Sequence, residues 1–504
     1  MPVPTVIELT DAPDPARCCQ QLAGLPYRVF LDSATPGTRL GRYSFLTANP
    51  VAVVQSKGAQ TEIYDVVGGT LSGPSDGDVL AHVGALLGPH RRDPLVGLPP
   101  FQGGAAGYLA YDWGRMLERL PANRHDDLAL PDAVLGIYDW VIAWDHRASR
   151  AWLISTGIPE TDEPARSRRA EERAAEVVTR LRADRGANVV TFAPGEPHKA
   201  RPTISNARAA ISTAAPSYPV EGGWWDRRLE VRSSFTHAGY LDAVTRVREY
   251  ILAGDIFQTN LSQRLEAPLT ESPWDLYLRM RIRNAAPFAA FFETPDVSVV
   301  SASPERFLRV DETGRVETRP IKGTMPRGFG PEHDGALGQA LSESAKDRAE
   351  NLMIVDLMRN DLSRVCSPGT VRVPELFALE HYATVHHLVS TVVGELAPGR
   401  DALDLLRAAF PGGSITGAPK VRAMEIIAEL EPSQRSVYCG SLGYCSVTGA
   451  LDTSIAIRTV IAPAGRNRVY FSAGGGIVAD SDPEQEYRET LHKARGMIDA
   501  LGHP

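Results

Sequence analysis

Two carboxylates and an ammonium recur on one face of the helix that the sequence predicts over residues 483–501. Glu486, Glu489 and Lys493 stand at i, i+3 and i+7, so they form a single stripe on that helix. An apolar stripe on another face can pack on the core, and its members are Tyr487, Leu491, Ala494, Ile498 and Leu501. The charged stripe could hold a metal ion and an anion. Taken alone, it favours an ordinary surface ion pair between Glu489 and Lys493.

A second carboxylate pair lies on another predicted helix. Asp347 and Glu350 stand at i and i+3. Two helices that each present such a pair could bind Mg²⁺, a hard cation that keeps several waters and takes few protein carboxylates. A carboxylate of the substrate would then complete the coordination. Solvated helix acids are the simpler interpretation when this pair is taken alone.

Three further features could bind an anion. Residues 473–476 read Ala-Gly-Gly-Gly after a predicted strand, and glycines let backbone N–H groups approach an anion closely, although a tight turn is the simpler interpretation. Residues 412–420 form a glycine-rich loop that enters a helix, whose N-terminus could bind an anion. Arg458 lies in an otherwise apolar predicted strand. A buried arginine needs a carboxylate partner, which could belong to the protein or to a substrate.

Three regions of different character follow one another along the chain. Residues 1–160 alternate short apolar runs with turn residues, which is typical of strands. Residues 161–232 contain a charged, Ala-rich helix over 166–185 and then a Pro-, Ala- and Ser-rich stretch over 194–221, which is typical of a linker. Residues 233–504 carry all the charged and glycine-rich patterns described above.

The predicted elements mix long strands with helices. Helices are predicted near 236–253, 333–364, 401–408, 419–429 and 483–501. Strands are predicted near 29–31, 51–54, 152–155, 256–265, 289–293, 297–301, 306–310, 437–446, 452–461 and 468–472. Because no βαβ rhythm appears, the order of elements predicts an α+β fold.

Composition excludes several classes of protein. The 504 residues include 43% hydrophobic and 23% charged residues, enough for a large ordered core. The net charge of −8 argues against a general binder of nucleic acid or of acidic membranes. Neither a signal sequence nor a long apolar run is present, which predicts the cytoplasm. The spacing of the five cysteines suits neither a zinc pair nor a disulfide framework.

Eight ordered motifs resemble those of the chorismate-binding enzymes, a family that includes anthranilate, aminodeoxychorismate, isochorismate and salicylate synthases. They are GDIFQ at 254–258, SPERF at 303–307, RPIKGT at 319–324, DLMRNDL at 356–362, HLVS at 387–390, GGSITGAPK at 412–420, YCG at 438–440 and AGGGIV at 473–478. The resemblance covers about residues 234–502. It implies two large antiparallel β-sheets packed as a sandwich, with helices outside and the active site in a cleft.

The resemblance also implies roles for individual residues. Glu350 and Glu489 match the Mg²⁺ carboxylates, with Asp347 and Glu486 as nearby acids. The groups that match the clamp for the two carboxylates of chorismate are Arg458, Tyr438, Lys493 and the amides of Gly474 and Gly476. Ser414 and His387 line the same pocket.

Two positions distinguish the branches of this family. Isochorismate and salicylate synthases have a lysine base where this chain has Gln258, so water attack at C2 would lack its base. Anthranilate synthases usually have Ala where this chain has Lys322, and the aminodeoxychorismate branch has Lys. An amine here can add at C2 as the C4 hydroxyl leaves, and ammonia can then add at C4 and expel it. Glu305 matches the general acid for the departing hydroxyl, which requires a raised pKa.

A partner and an effector also follow from the resemblance. This chain has no Gly-x-Cys-x-Gly elbow, so we expect a separate glutamine amidotransferase subunit to supply ammonia. In this branch a tryptophan pocket lies between the sheets, and the matching residues are Ser33, Leu40, Gly41, Arg42, Tyr43, Pro287, Phe288 and Ala289. The chain departs from the usual pocket at Asp32 and Ala285. A structural tryptophan, a weak effector site and a vestigial pocket therefore stay open.

The resemblance thus implies C4 amination of chorismate through a Lys322 adduct, for p-aminobenzoate and folate synthesis. Amination at C2, as in anthranilate synthases of tryptophan biosynthesis, is the alternative within the family. A non-catalytic tryptophan-binding regulatory subunit is the alternative from another class. Such a subunit is expected to have lost the acid, the metal ligands or the anion clamp, and this chain has all three.

Overall fold

Two large antiparallel β-sheets form the centre of the structure, a computed structural model that describes residues 4–35, 37–121, 125–182, 214–220, 223–226, 228–382 and 385–502. The described residues form one 13-stranded and one 12-stranded sheet. The predicted α+β sandwich is therefore confirmed. Much of the predicted linker, 194–221, lies outside the described residues.

The strands are numbered along the chain. Those before residue 240 are β1 (Thr5–Leu9), β2 (Arg28–Asp32), β3 (Tyr43–Thr47), β4 (Ala52–Lys57), β5 (Gln60–Asp65), β6 (Thr70–Asp76), β7 (Gly104–Leu109), β8 (Ala133–Tyr138), β9 (Trp140–Asp145), β10 (Arg150–Ser155), β11 (Tyr218–Pro219) and β12 (Arg232–Ser233). Those after it are β13 (Gln258–Pro268), β14 (Phe288–Glu293), β15 (Val297–Ser303), β16 (Arg306–Val310), β17 (Arg315–Thr318), β18 (Ile321–Pro326), β19 (Arg372–His381), β20 (Val385–Glu395), β21 (Gly417–Ala418), β22 (Ser441–Ser446), β23 (Leu451–Ile455), β24 (Thr459–Pro463) and β25 (Arg468–Ile477).

The helices are numbered in the same way. They are α1 (Pro15–Gln21), α2 (Val79–Leu87), α3 (Ala165–Arg182), α4 (His237–Leu252), α5 (Pro273–Arg283), α6 (Pro331–Glu343), α7 (Ala345–Ser363), α8 (Ala402–Ala409), α9 (Lys420–Leu430) and α10 (Pro483–Leu501). Short 3₁₀ turns span Gly88–His90, Tyr111–Met116 and Gly413–Ile415. Among the described residues, we find no helix that combines the length and the apolar character needed to cross a membrane.

Strands from both ends of the chain alternate in each sheet. The larger sheet has the order β1-β10-β9-β3-β2-β14-β15-β24-β25-β13-β12-β11, with β21 also paired to β13. The smaller has the order β18-β20-β17-β16-β23-β22-β7-β8-β4-β5-β6, with β19 also paired to β20. Residues 1–160 and 233–504 therefore share both sheets. The three-region division of the chain stays a prediction.

The apolar core lies in layers. Between the sheets, side chains such as Phe45 and Ile461 from one sheet pack with Tyr108 and Leu442 from the other. The outer face of the larger sheet carries α1, α3, α5 and α10, and that of the smaller sheet carries α2, α7 and α8. Each helix therefore buries one apolar face against a sheet, as the stripe on α10 predicts.

Most element boundaries agree with the sequence, and the differences have local causes. The helix predicted near 333–364 is two helices, because Ser344 leaves the helical conformation and its side chain caps α7 at the backbone N–H of Asp347. The strand predicted near 452–461 is also two, β23 and β24. The break falls at Arg458, whose backbone has a φ of +50°.

A buried ion pair joins several segments of the chain near the start of β13. The Arg435 guanidinium donates to both carboxylate oxygens of Glu431, at 2.9 and 2.7 Å. It also donates to the backbone oxygens of Ile415 and Asn260, while Glu431 accepts from the amide and hydroxyl of Ser262. One pair thus joins the 3₁₀ turn at Gly413–Ile415 to β13.

We expect Glu431→Ala to lower the free energy of unfolding by about 3–5 kcal/mol, because it leaves a buried guanidinium without its carboxylate. Urea denaturation monitored by circular dichroism measures this change. Glu249→Ala is a matched control, since Glu249 pairs with Arg246 at i,i+3 on the exposed face of α4. Equal effects of the two substitutions would contradict this structural role.

Candidate active site

β25 extends beyond its pairing with β24, and the space beside this unpaired end is here called the cleft. β24 pairs with β25 only at Tyr470 and Phe471. The carbonyl of Gly474 accepts a hydrogen bond from Lys493 Nζ at 2.9 Å, so it does not point across the ladder to β13. The N–H and C=O groups of one residue point to the same edge of a strand, and those of every second residue point to that edge too. The amides of Gly474 and Gly476 therefore face this cleft.

Residues 473–476 are therefore strand and not the turn that glycines favour. Asn260 and Ser262 of β13 stand opposite Gly476 and Gly474. A Cβ built on Gly474 would lie 2.5 Å from the Leu261 carbonyl oxygen, so the close packing of β13 excludes a side chain there. The glycines keep the wall of the cleft flat.

Lys322 enters the cleft from the smaller sheet. It lies on β18, where the pairing with β20 shifts between Ile321 and Thr324, and Gly323 has a φ of +87°. Such a bulge changes the direction of a side chain. Burial lowers the pKa of Lys322, and the Lys493 ammonium adds to this effect, while the nearby Glu350 carboxylate opposes it.

Gln258 faces Lys322 from the larger sheet. A Cβ built on Gly476 would lie 1.9 Å from Gln258 Nε2 and 3.6 Å from Lys322 Nζ. Both nitrogen atoms thus lie close to one point in front of Gly476. Gln258 is buried, and its Oε1 has no hydrogen-bond partner in the described part of the chain.

Glu305 lies between β15 and β16 and is 4% exposed. Burial raises the pKa of this carboxyl to about 7, although the neighbouring Ser414 hydroxyl and Lys322 ammonium lower it. Ser414 belongs to the 3₁₀ turn that Arg435 holds through Ile415. The site therefore keeps a carboxylic acid partly protonated at neutral pH.

Arg458 occupies the turn between β23 and β24, and its backbone oxygen accepts from the amide of Ala302. Burial lowers the pKa of its guanidinium despite the opposing effect of Glu305. His387 on β20 is buried, and burial with the charge of Arg458 lowers its pKa to about 3. Its Nδ1 lies 2.9 Å from the Thr324 hydroxyl. His387 is therefore a neutral, hydrogen-bonding member of the cleft.

In the described part of the chain, three charged groups of the site lack ion-pair partners: Glu305, Lys322 and Arg458. Within the described residues, none of the three has an oppositely charged group within 4.0 Å. Their charges are close enough for Glu305 to affect the pKa of both cations. The carboxylate partner that a buried arginine needs is thus not supplied by the described part of the protein, and an anionic ligand would supply it.

Four carboxylates from α7 and α10 close the other side of the cleft. Burial raises the pKa of Glu350, and its charge neighbours include Lys322, Asp347 and Glu489. Glu489 lies 2.6 Å from Lys493 Nζ, which outweighs burial and lowers its pKa. Glu486 is buried and accepts from Ser481 Oγ. The structure thus brings Asp347, Glu350, Glu486 and Glu489 to one end of the cleft.

Comparison with known proteins identifies the family of this chain. The sequence profile of the family described as chorismate binding enzyme matches residues 27–499. This chain belongs to the chorismate-binding enzymes. It is 41% identical to aminodeoxychorismate synthase component 1 of Salmonella typhimurium, over 99% of this chain and 98% of the relative. It is 39% identical to anthranilate synthase component 1 of Streptomyces coelicolor, over 98% and 87%.

The fold agrees with a solved member of the family. The crystal structure of anthranilate synthase component I from Streptococcus pneumoniae superimposes with a TM-score of 0.73 at 30% identity, covering 98% of this chain and 99% of that one. Overall identity does not separate the two activities, since the relatives from the two branches differ by only two percentage points.

The donor set at α7 and α10 suits Mg²⁺ better than a transition metal. No group of three His, Cys, Asp or Glu side chains in the described ranges is placed to hold a metal ion by itself. Mg²⁺ needs fewer protein ligands, because waters and an oxyanion of the substrate fill its octahedron. Glu350 and Glu489 lie near enough for the Glu489 charge to affect the pKa of Glu350. Their carboxylates would supply the hard oxygen ligands that Mg²⁺ prefers.

Tyr438 differs from the other residues of the predicted anion clamp. It is buried in the turn before β22, with its ring 5.9 Å from the guanidinium carbon of Arg435. Its neighbour Cys439 was expected in a strand, but it lies in this turn with a φ of +63°. The contacts of Tyr438 thus tie it to the buried pair at Arg435, and its contact with a substrate stays a prediction.

The residues of the predicted tryptophan pocket also lie together. The Ser33 hydroxyl donates to the Tyr43 carbonyl at 2.7 Å and lies 3.4 Å from that of Pro287. Ala289 pairs with Asp32 across the ladder between β14 and β2. The remaining members are half-buried Leu40, buried Gly41, exposed Arg42 on Asp145, and Phe288 beneath the Arg306 guanidinium. Tryptophan binding stays a prediction.

Two sets of supporting residues were not predicted from the sequence. Arg319 is buried at the start of the Lys322 motif, where it pairs with Glu375 at 3.0 Å and with Glu380 on β19. Lys420 binds Asp361 and two backbone oxygens, so the lysine of the glycine-rich loop is structural and not part of an anion site. For the Arg319 pairs, the sequence gives one signal, which is the acidic residues Glu375 and Glu380 in an otherwise apolar stretch.

We expect Glu305→Gln to become progressively more stable than the unsubstituted protein as pH rises from about 5 to 8. The folded protein holds the Glu305 proton up to a pKa of about 7, whereas the reference value is 4.5. Ionisation of the buried carboxyl therefore costs stability across this window, by about 3 kcal/mol when complete. Urea denaturation at several pH values measures the difference, and a difference that does not vary with pH would contradict the raised pKa.

Proposed function

We propose that this protein aminates chorismate at C4, giving 4-amino-4-deoxychorismate and water from chorismate and ammonia. The observation that carries the proposal is the Lys322 amine, which lies in the cleft with a lowered pKa and without an acidic partner within 4.0 Å in the described residues. Direct amination at C2 needs no protein nucleophile at this position. The similar identity to relatives from both branches leaves this residue as the deciding feature.

The first step uses Lys322 and Glu305 together. The neutral Lys322 amine adds at C2, the ring electrons shift, and the C4–O bond breaks. Glu305 gives its proton to the departing hydroxyl, which leaves as water. After this step the lysine nitrogen is a positively charged ammonium and Glu305 is a carboxylate. The lowered pKa of Lys322 favours the free amine and the raised pKa of Glu305 favours the acid, and burial is the main cause of both shifts.

The second step reverses the ring shift. The lone pair of ammonia forms the bond to C4, and the C2–N bond to Lys322 breaks. Its electron pair returns to the lysine nitrogen, which leaves as a neutral amine. Two successive displacements account for retention at C4, which a single displacement does not give.

The other residues of the cleft bind and orient chorismate. The amides of Gly474 and Gly476, together with Arg458, face the place where one carboxylate would lie. Glu350 and Glu489 would hold Mg²⁺, with Asp347 and Glu486 beside them, and the ion would neutralise the other carboxylate. Lys493 pairs with Glu489 in this structure. It would help to bind the chorismate carboxylate that lies next to Mg²⁺.

A partner subunit supplies ammonia in this proposal. The relatives named component 1 imply a second component, and we propose that it is a glutamine amidotransferase. The product would serve p-aminobenzoate and hence folate synthesis. Free ammonium should replace the partner in a direct assay.

A single assay tests the proposed function. The purified protein is mixed with chorismate, Mg²⁺ and ammonium chloride, and the products are separated by liquid chromatography. We expect a product that becomes p-aminobenzoate only after a lyase is added, and no product when Mg²⁺ is chelated with EDTA. Direct formation of fluorescent anthranilate would contradict C4 amination.

A further inference from the structure

The two helices that carry Glu350 and Glu489 each have a buried polar residue directly after that carboxylate. Asn351 on α7 and Thr490 on α10 are both 0% exposed. Successive residues of a helix are turned by about 100°, so each of these side chains can face a sheet while the carboxylate before it points elsewhere. Both polar side chains are hydrogen-bonded to a neighbouring strand.

Asn351 ties α7 to β20. Its Nδ2 donates to the Leu388 carbonyl at 3.3 Å, and its Oδ1 accepts from the Ser390 hydroxyl at 2.5 Å. All residues of α7 are described, and Asn351 is the first of them that is buried. Asn351 and Ser390, here called the α7 anchor, therefore form the first buried attachment of this helix, one residue after Glu350.

Ser390 also contacts the strand that carries the predicted nucleophile. Its backbone N–H donates to the Pro320 carbonyl at 3.2 Å, two residues before Lys322. Its hydroxyl accepts from the N–H of Phe377 at 3.0 Å, at a bulge of β19 where the φ of Phe377 is +59°. Ser390 thus joins the helix of Glu350 to the strand of Lys322.

Thr490 ties α10 to β13 in a similar way. Its hydroxyl donates to the Tyr487 carbonyl at 2.7 Å and accepts from Gln263 Nε2 at 2.5 Å. Gln263 Oε1 in turn accepts from the Ser233 hydroxyl at 2.5 Å. Thr490 and Gln263 are here called the α10 anchor. Directional hydrogen bonds that are fully satisfied fix a helix along a strand more rigidly than apolar contacts do.

We propose that the α7 anchor and the α10 anchor set the separation of the Glu350 and Glu489 carboxylates, and with it the affinity for Mg²⁺. This inference rests on the proposed function, in which these two carboxylates hold the ion. Mg²⁺ demands near-ideal octahedral geometry, so a small shift of either helix weakens its binding. The anchors are positioning residues, since they act through the two carboxylates.

The test removes one hydrogen-bonding group from each anchor and keeps the shape of the side chain. We expect Asn351→Leu and Thr490→Val to raise the Kd for Mg²⁺ about three- to tenfold, because residues that orient metal ligands contribute up to about 10–100-fold in affinity. Isothermal titration calorimetry on the purified protein measures this Kd. Excess Mg²⁺ should restore the turnover of both variants to within about twofold of the unsubstituted protein.

Thr47→Val is the matched control for Thr490→Val. Thr47 is 1% exposed, and its hydroxyl also donates to a backbone carbonyl at 2.7 Å, that of Trp140. This bond joins β3 to β9, far from β13 in the order of the larger sheet. We expect the control to lose thermal stability and to keep the Kd for Mg²⁺. An unchanged Kd in either anchor variant, or an equal rise in Thr47→Val, would overturn the inference.

Substitution of the carboxylates separates this inference from the proposed function. If Glu350→Gln and Glu489→Gln weaken Mg²⁺ binding and the anchor variants do not, only the positioning role is wrong. If both glutamine variants keep the Kd for Mg²⁺, the metal site of the proposed function is wrong, and the inference falls with it. Formation of anthranilate would contradict C4 amination alone, because the anchors concern the metal and not the carbon that is aminated.

Discussion

Three charged groups, buried Glu305 and half-buried Lys322 and Arg458, have no ion-pair partners among the described residues, and they govern the chemistry of this cleft. Burial of a single charge is costly, and a protein usually meets that cost with a partner of opposite sign. Here burial raises the pKa of Glu305 to about 7 and lowers the pKa of Lys322 and of Arg458, while the charges of these groups oppose those shifts from a distance. Burial thus shifts the acid and the amine towards their neutral forms. A chorismate dianion would supply the missing negative charge to Arg458.

Such a site requires a rigid surround, because the charged groups would otherwise turn towards solvent or towards each other. Arg319 holds the start of β18 through Glu375 and Glu380, three residues before Lys322. Arg435 and Glu431 hold the turn that carries Ser414 against β13. These pairs are buried or partly buried, and each arginine makes several hydrogen bonds, so the pairs can fix the geometry of the site.

The same constraint explains the glycines of β25. A side chain on Gly476 would displace the Gln258 amide, and one on Gly475 would approach the carboxylates of Glu486 and Glu489. Because Gly475 and Gly476 have no side chains, β25 can lie close to the Gln258 amide and to these two carboxylates. The backbone N–H groups then offer positive dipoles to an anion without adding another titratable group.

Local periodicity predicted much of the fold. The stripes of α10, its bounds and the α+β class follow from spacing alone. Other features depend on tertiary pairing that no local pattern reports. The glycines at 473–476 are strand because they pair with β13, and Arg458 lies in a turn because the chain passes there from the smaller sheet to the larger. The pair of Glu431 and Arg435 has the ordinary i,i+4 spacing of a surface ion pair, and only burial distinguishes it.

The candidate site was predicted in part. Each carboxylate pair favoured a surface interpretation until the resemblance to a known family joined them. The structure places them together, with Lys322 between them and Glu305. The bulge that directs Lys322 into the cleft has a glycine as its only signal in the sequence.

The central claim is that Lys322 is a nucleophile, and a covalent adduct tests it most directly. The protein is mixed with chorismate and Mg²⁺ in the absence of ammonia, and its intact mass and tryptic peptides are measured after rapid quenching. The account predicts a mass gain of one chorismate less one water on the peptide that contains Lys322, and no gain in Lys322→Ala. Undiminished C4 amination by Lys322→Ala, without any adduct in the unsubstituted protein, would contradict it.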